Sequence, residues 1–166
     1  MWAVAKIKIK NLNTFKKSLT EKMGKDIQFY CPKIKYQKYF NGKVKKIETF
    51  ILGNYIFCHH IKFKKDSTIS EIKYLKGLIY FLNGSNQNQG SLIKFIEYCK
   101  SFENEEGYLT QSFFKMIIAK KAKFISGPFT DMIFEIIEKQ KNKLKILVGN
   151  VVTTISDKGN YLYRPV

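Results

Sequence analysis

The start of the chain shows one strand pattern and one helix pattern. Residues 2–9 alternate between apolar and polar side chains, which predicts a β-strand because successive side chains of a strand point to opposite faces. Asn13 can cap the helix that follows, in which Phe15, Leu19 and Met23 share one face. The sequence therefore predicts a strand and then an amphipathic helix packed on it.

A β-hairpin is the clearest local prediction. Residues 33–40 and 43–50 are strand-like runs separated by Asn41-Gly42, and Asn-Gly between two such runs favours a type I′ hairpin turn. Both runs carry many lysines, so we expect a projecting, solvated ribbon.

Further strands are predicted at residues 51–57 and 77–82, and a polar loop at 83–90 leads to a helix capped by Ser91. The spacing of four apolar residues in that helix predicts that they face a core. They are Leu92, Phe95, Ile96 and Cys99. The order strand, helix, hairpin, strand, strand, helix indicates an α+β domain with helices packed on a sheet.

The hydrophobic periodicity breaks near residues 101–108, which indicates a linker. We therefore divide the chain into an α+β domain at 1–103, a linker at 104–112 and a second domain at 113–166. The second domain is nearly all short strands, and a compact five-stranded β-barrel would bury enough apolar surface at that size. Gly127 and Pro128 supply the backbone angles of its first corner, which holds Phe129 against the core.

The chain is strongly basic, with a net charge of +17 and a pI near 9.7. A field of that sign attracts polyanions, usually nucleic acid. Arg164 is the only arginine among 30 Lys and Arg residues, and abundant Lys, Ile, Asn, Phe and Tyr is also what A/T-rich codons produce. The charge therefore indicates either phosphate contact or a solvated surface of lysines.

Catalytic and metal-binding patterns are weak. The three cysteines are far apart with no C-x-x-C pair, and Cys58-His59-His60 lacks further histidines for a zinc site. The carboxylates are scattered, and no Gly-rich phosphate loop is found, so we expect neither an enzyme nor a cofactor. The sequence shows neither a signal peptide nor an apolar run of about 20 residues, so we expect a cytoplasmic protein away from membranes.

Several segments resemble the NusG family of transcription elongation factors, in which an NGN domain precedes a KOW domain. Tyr30-Cys31-Pro32 is similar to the family's "fy-x-P" element, residues 48–57 to its "plFpgYvFv" strand, and residues 76–81 to its "t-x-GV-x-x-Fv" strand. Residues 124–130, with Gly-Pro-Phe, resemble the KOW segment. The resemblance covers nearly the whole chain and implies an NGN-type α/β sandwich-like sheet domain followed by an SH3-like KOW barrel.

Departures from the family pattern favour a specialised RfaH-like paralog over a general NusG. Ala119-Lys120 stands where the family usually has Gly-Asp, and Leu52-Gly53 replaces its Phe-Pro. Asp131 and Phe134 replace two small residues that usually follow the Gly-Pro-Phe turn.

The resemblance implies a factor that binds the clamp helices of RNA polymerase and modulates pausing and termination, acting in antitermination. The matching positions are Tyr55, Phe57 and Phe81, flanked by Lys6 and Lys8. Tyr55 and Phe57 lie two apart on a strand, so we expect both to be exposed or both to belong to the core.

Two further sets of contacts are implied. Ser67, Thr68 and Ser70 occupy the place of a His/Thr motif that contacts the polymerase, although a helix cap for residues 71–74 is the alternative. Four lysines match positions at which specialised members contact the non-template DNA strand, with a solvated helix face as the alternative. They are Lys17, Lys22, Lys73 and Lys76.

The KOW-like domain, with its turn at Gly127, Pro128 and Phe129, is expected to recruit a small-subunit ribosomal protein or the termination factor Rho. Residues 129–134 and 144–148 would shape that surface, and we expect a monomer. Residues 132–147 also fit helical spacing, and in the RfaH branch this domain can fold as a helical hairpin that masks the polymerase site. A permanent barrel is the alternative.

Two other functions fit parts of the sequence. A ribosome-associated KOW-type RNA-binding protein would explain the charge and the KOW-like segment. A free-standing nucleic-acid-binding protein would use the lysine-rich hairpin as a β-ribbon arm.

Overall fold

The computed structural model describes residues 1–40, 43–117, 120–156 and 161–166, so the predicted turn at Asn41-Gly42 lies outside the described residues. The fold is α+β with antiparallel sheets. Its strands are β1 (Trp2–Ile7), β2 (Gln28–Tyr30), β3 (Lys33–Phe40), β4 (Lys43–Phe50), β5 (Tyr55–His59), β6 (Leu78–Phe81), β7 (Lys121–Phe124), β8 (Ile133–Gln140), β9 (Lys143–Val148), β10 (Val151–Ser156) and β11 (Tyr163–Pro165). Its helices are α1 (Leu12–Met23), α2 (Asp66–Glu71), α3 (Gln89–Ser101) and α4 (Gln111–Ile117), with 3-10 turns at Ile9–Asn11 and Ile61–Lys64. In these described parts, no helix is both long and apolar enough to cross a membrane.

The chain forms two compact units. The first unit consists of Met1–Lys33 with Phe50–Ser101, and the second consists of Ile34–Thr49 with Phe102–Val166. The sequence prediction placed the hairpin in the N-terminal domain, whereas the structure groups its strands with the C-terminal half.

The first unit is built on an antiparallel sheet with the order β2-β5-β1-β6. One face packs against α1, which buries Phe15, Leu19 and Met23 as predicted. Side chains of β1 and β5, among them Ala5 and Ile56, meet this helix in the larger core of the unit. Burial of this apolar stripe holds α1 on the sheet.

The opposite face of the same sheet is covered in part by α3. Ile96 is buried there with Val4 and Phe57, and Leu92 and Phe95 pack at the edge of this smaller cluster. The helix begins at Gln89, so Ser91 lies inside it rather than at its cap. The register of the helix is nonetheless the predicted one, because the predicted apolar face is the face that packs.

Other local differences have identifiable causes. A 3-10 turn at Ile9–Asn11 ends the first strand early, so that α1 begins at Leu12 rather than after Asn13. Residues 51–54 form turns, and the strand predicted at 51–57 becomes β5, Tyr55–His59. The six-residue helix α2 was not predicted, because it is too short to show a hydrophobic period.

The second unit contains an antiparallel sheet with the order β10-β9-β8-β7-β11. β10 and β11 are its edges, so across the described residues the sheet is open rather than the closed barrel that the sequence predicted. β11 has three residues, one of them Pro165, which lacks a backbone donor and so cannot extend a hydrogen-bond ladder.

Helix α4 was not predicted, because residues 113–166 were expected to be nearly all strands. It buries Phe113 and Phe114, and its first residue, Gln111, fixes β11 through its side-chain amide. The amide oxygen accepts from the Tyr163 backbone N–H at 3.0 Å, and the amide nitrogen donates to the Tyr163 carbonyl at 3.2 Å. The short edge strand is thus held by a helix as well as by β7.

The prediction of a projecting ribbon is wrong, because both strands of the hairpin make contacts within the second unit. Lys35 Nζ lies 2.8 Å from a carboxylate oxygen of Glu106, and the Tyr108 hydroxyl donates to Glu48 at 2.6 Å. Ile34 on β3 is buried. Residues 43–46 are exposed, as are Lys35, Gln37 and Glu48, so these parts of the hairpin are solvated as expected.

The Gly-Pro-Phe turn forms as predicted. Gly127 has φ +85°, a conformation that favours glycine, and its carbonyl accepts from the Thr130 N–H at 3.2 Å. The Phe129 ring lies 5.6 Å from the Phe124 ring, centroid to centroid. Beyond the turn, residues 133–140 and 143–148 are the strands β8 and β9, so the helical alternative is not the form in this structure.

Candidate functional site

The candidate site is formed where three strands of the first unit meet. β1 lies between β5 and β6, and Lys6 on β1 is the cross-strand partner of Tyr55 on β5 and of Tyr80 on β6. Directly opposite residues of neighbouring strands point to the same face of a sheet. The register therefore places one lysine between two tyrosines.

These three side chains contact one another, and we call them the tyrosine–lysine cluster. Lys6 Nζ lies 5.6 Å from the ring centroid of Tyr55 and 5.5 Å from that of Tyr80. The two tyrosine hydroxyl oxygens are 3.5 Å apart. Both lysine–ring distances lie within the range of cation–π attraction. The cluster therefore presents two aromatic rings, two hydroxyls and one ammonium group on a single surface.

The electrostatics of the cluster favour the charged lysine. Hydrogen bonding with the Tyr80 side chain, and then the charge of Tyr55, raises the pKa of Lys6 above its usual value. The hydrogen bond between the phenols lowers the pKa of Tyr80 and raises the pKa of Tyr55. The raised pKa keeps Lys6 a cation at neutral pH, so the cluster places a positive charge beside two hydroxyl groups.

The cluster is accessible because α3 covers only part of its sheet face. Trp2, Val4 and Phe57 belong to the region that α3 covers, and Tyr55 lies at the border of that region. Tyr80 is 42% exposed on the edge strand β6. An exposed patch of aromatic rings beside a covered apolar cluster is typical of a protein-binding surface.

Tyr55 and Phe57 share one face of the sheet, as the sequence predicted, but they differ in burial. Both lie on the α3 face, but Phe57 is 4% exposed and its ring lies 5.9 Å from Phe95 and 6.1 Å from Tyr30. Phe81 is 8% exposed on the opposite face and stacks near Phe63. The expectation that the pair is wholly exposed or wholly core is wrong, because Phe57 is buried whereas Tyr55 is half-buried and packs at the edge of the same cluster.

The predicted hydroxyl residues lie on α2. Thr68 is buried and its hydroxyl donates to the Lys62 carbonyl at 2.8 Å, so it fixes the preceding turn. Ser67 and Ser70 are exposed on the same short helix. The helix begins at Asp66, so these residues lie within it rather than capping the segment 71–74.

The four lysines predicted to contact DNA are all exposed, but they do not form one cluster. Lys22 is in the last turn of α1, whereas Gly77 packs against Asn11 at the start of that helix. The two ends are about 16 Å apart along the axis, from a rise of 1.5 Å per residue. Lys76 precedes Gly77, and Lys73 lies over the neighbouring Tyr74 ring, with Nζ 4.9 Å from the centroid.

The Cys58-His59-His60 segment contributes two buried side chains to the packing of the first unit. Cys58 and His60 are buried, while His59 lies near Trp2 on the other face, 4.9 Å between ring centroids. His60 Nδ1 accepts from the Lys62 backbone N–H at 3.1 Å, and Nε2 lies 2.9 Å from an Asp26 carboxylate oxygen. Both ring nitrogens of His60 are thus engaged.

The structure gives the exposure of Lys8 and of the residues predicted to shape the partner surface of the second unit. Lys8 is exposed just after the end of β1, two positions along the chain from Lys6 of the tyrosine–lysine cluster. In the second unit, Met132 and Ile133 are exposed, but Phe134 is buried and stacks on Phe124 at 4.4 Å. Only the exposed members of these strands are available to a partner.

Tyr80 is the residue that sequence reasoning missed, since Phe81 was chosen from the same strand. A register shift between Lys6 and Ile7 pairs Ile7 with Leu78 and Lys6 with Tyr80, so simple alternation does not carry across β6. The sequence did show a tyrosine next to the strand phenylalanine, but only the pairing of β6 with β1 shows that Tyr80 is the residue beside Lys6.

No protein-family model matches the chain, and no curated protein matches it. Among solved structures, it is similar to a chain of the structure titled "Crystal Structure of MjSpt4:Spt5 complex conformation B". The sequence identity is 14% and the TM-score is 0.36, over 96% of this chain and 94% of that chain. Values this low identify neither a family nor a function.

Proposed function

We propose that this chain is a transcription elongation factor of the NusG type that binds RNA polymerase through the tyrosine–lysine cluster of its first unit. The observation that supports the proposal is the exposed contact of Lys6 with Tyr55 and Tyr80. Lys6 and Tyr55 stand at positions that the resemblance to NusG assigns to the polymerase contact.

The chemistry of the cluster suits a helical protein partner. Aromatic side chains with a polar tip are enriched among the residues that dominate binding at protein interfaces. The rings offer flat apolar area to a helix, while the hydroxyls and the Lys6 ammonium can pair with carboxylates on its polar side. A factor bound in this way to the clamp would stabilise the closed clamp by binding that state more tightly.

The finer parts of the proposal are an RfaH-like specialisation, antitermination, and contact of the exposed lysines of the first unit with non-template DNA. A small-subunit ribosomal protein or Rho would bind the exposed apolar residues of the second unit, among them Ile133 and Val152. Binding would need neither cofactor nor enzymatic step.

The test is a binding measurement with RNA polymerase from the source cell, free of nucleic acid. The double variant Tyr55→Ala/Tyr80→Ala should bind at least about thirtyfold more weakly, since truncating even one aromatic anchor costs on the order of 2 kcal/mol. Tyr74→Ala is the matched control, because Tyr74 is 86% exposed and lies outside the cluster. Tyr55→Phe/Tyr80→Phe should keep most of the affinity.

A circular-dichroism melt accompanies each variant and should stay cooperative. Unchanged polymerase affinity in the double alanine variant would refute the proposed surface, as would an equal loss in the Tyr74→Ala control. Crosslinking of the intact chain to ribosomal RNA, without capture of polymerase, would instead support the ribosome-associated alternative. The free-arm alternative has less support, because the hairpin strands are engaged within the second unit.

A further inference from the structure

A cleft in the second unit lies between the hairpin and the five-stranded sheet. Ile34, Tyr36 and Lys38 alternate along β3, so they share the face that lines the cleft. Lys123 on β7 and Arg164 on β11 line the other side, and they are cross-strand partners. The cleft has a volume of about 260 Å³.

One carboxylate inside the cleft bridges two of its cations. Asp131 Oδ2 lies 2.9 Å from Lys38 Nζ, and Oδ1 lies 3.2 Å from Lys123 Nζ. Asp131 has φ +71°, and its backbone N–H donates to the Phe124 carbonyl at 2.9 Å. The backbone therefore holds the carboxylate at the mouth of the cleft, although few residues other than glycine adopt this conformation.

The ionised form of this carboxylate is favoured. The hydrogen bonds from Lys38 and then from Lys123 lower the pKa of Asp131 below its usual value. At neutral pH the cleft therefore contains one anion and three cations, counting Arg164. The cleft therefore carries a net positive charge, which attracts anions.

Stability alone does not account for this arrangement, since exposed ion pairs contribute little to folding. Two lysine ammonium groups hold the Asp131 carboxylate, and Arg164 lines the same cleft; cationic side chains grouped in this way are a usual means of holding an anion. Arg164 is the only arginine of the chain, and its planar guanidinium suits a bidentate contact with phosphate.

We infer that this cleft binds a single-stranded nucleic acid, with a phosphate group on Lys38, Lys123 and Arg164 and a base against the Tyr36 ring. Asp131 occupies the anion position in the free protein and is displaced from its lysines on binding. The cleft is slightly smaller than the roughly 300–1,000 Å³ of drug-sized sites, so about one nucleotide enters it. The rest of the strand would follow the surface.

A nucleic acid fits this cleft better than an acidic peptide does. A peptide carboxylate would satisfy the cations but would leave the aromatic ring of Tyr36 without a specific role. Single-stranded nucleic acid offers both a phosphate and a flat base, and proteins that bind it combine a basic groove with stacking aromatics. The net charge of +17 adds a general attraction for polyanions.

The test is fluorescence anisotropy with short labelled oligouridylate and oligothymidylate, measured on the full chain over a series of salt concentrations and without polymerase. The variant Lys38→Gln/Lys123→Gln/Arg164→Gln should bind about tenfold or more weakly at low salt, with the salt slope reduced by about 0.7, since the cleft holds one phosphate and each phosphate contact to a single strand contributes about that much. Tyr36→Leu should lose about tenfold through stacking, with the slope unchanged.

Two controls separate the cleft from the general charge. The first removes the same number of charges from exposed positions on β9 and the turn before it. It is Lys141→Gln/Lys143→Gln/Lys145→Gln. It should change affinity much less than the cleft variant does.

The second control is Asp131→Asn, which keeps the shape of the side chain and tolerates a positive φ. It should bind about two- to fivefold more tightly, because the competing carboxylate is gone. A gain in one variant and a loss in another cannot both result from misfolding.

Three outcomes would overturn the inference. Equal losses in the cleft variant and the charge-matched control would show that binding depends on the field of the whole chain. Weaker binding by Asp131→Asn would show that the carboxylate supports the site rather than competing for it. An acidic peptide could also bind more tightly than the oligonucleotide and displace it. If that binding required Lys38, Lys123 and Arg164, the cleft would be assigned to a protein partner.

Discussion

The turn at Gly127 allows a quantitative test of the packing in the second unit. Gly127 has φ +85°, and a β-carbon placed on it would lie 2.5 Å from Cδ1 and 2.9 Å from Cε1 of Tyr161. Carbon atoms pack favourably at about 3.5–4.0 Å, so Gly127→Ala must push the Tyr161 ring by about 1 Å. That ring packs near Phe124 and Phe129, at 6.2 and 6.3 Å between centroids.

Two terms add up in this substitution. The left-handed backbone costs about 1–2 kcal/mol for a residue with a β-carbon. Overpacking a filled site adds about 1–3 kcal/mol. Alanine also reduces the conformational entropy of the unfolded chain, which offsets the loss of stability by about 0.4–1 kcal/mol. Gly127→Ala should therefore reduce the free energy of unfolding by about 2–4 kcal/mol, a large part of the roughly 5–15 kcal/mol of a typical domain.

Gly149→Ala is the matched control, because Gly149 has φ +59° and a β-carbon placed on it would meet no heavy atom within 4 Å. It carries the backbone term without the overpacking, so it should cost about 1 kcal/mol. Amide hydrogen exchange of β8 and β9 measures the free energy in the second unit, since the single tryptophan, Trp2, reports on the first. Equal costs for the two substitutions would refute the packing of Tyr161 over Gly127.

Phe57→Ala should destabilise the first unit by about 3–5 kcal/mol because it empties a buried aromatic site, whereas Tyr55→Ala should cost much less. Denaturant titration followed by Trp2 fluorescence measures both free energies of unfolding, since Trp2 packs near Phe57. Equal effects would contradict the difference in burial between the two residues. Burial raises the pKa of Cys31 to about 11 from 9.0, so the thiol stays protonated at neutral pH. At pH 8 its alkylation in the folded chain should be about a hundredfold slower than in the unfolded chain, from two pKa units, and should accelerate as the pH approaches 11. Mass spectrometry of the alkylated peptide measures this, and equal rates in folded and unfolded protein would show that the thiol is not buried.

Elements whose signals are local could be predicted from the sequence. The strands of the hairpin have the predicted bounds, because strand-like runs on both sides of Asn41-Gly42 define them without knowledge of the rest of the chain. The buried face of α1 follows from the helical spacing of its apolar residues. Gly127 adopts a positive φ, the kind of backbone angle that a glycine in this turn was expected to supply.

Features that depend on pairing between distant segments could not be predicted. The hairpin contacts Glu106 and Asp131, which are 71 and 93 residues away from their lysine partners, and nothing local in the hairpin indicates them. The choice between Tyr80 and Phe81 depended on the pairing of β6 with β1, which places Tyr80 opposite Lys6 and Phe81 opposite the buried Ala5. The candidate site therefore needed the structure, although Lys6 and Tyr55 were found from the sequence.

The helical spacing in β8 has its own structural explanation. Ile133, Ile136 and Ile137 fit a helix because they are three and four residues apart, but the ladder with β9 shifts register between Ile136 and Glu138. Such an irregularity inserts a residue and breaks the alternation of a strand. In β9 the alternation is intact, and Leu144, Ile146 and Val148 are all buried. Ile133 and Ile137 are exposed, and Ile137 is skipped by the ladder with β9, so the helical spacing of these residues does not mark one buried face.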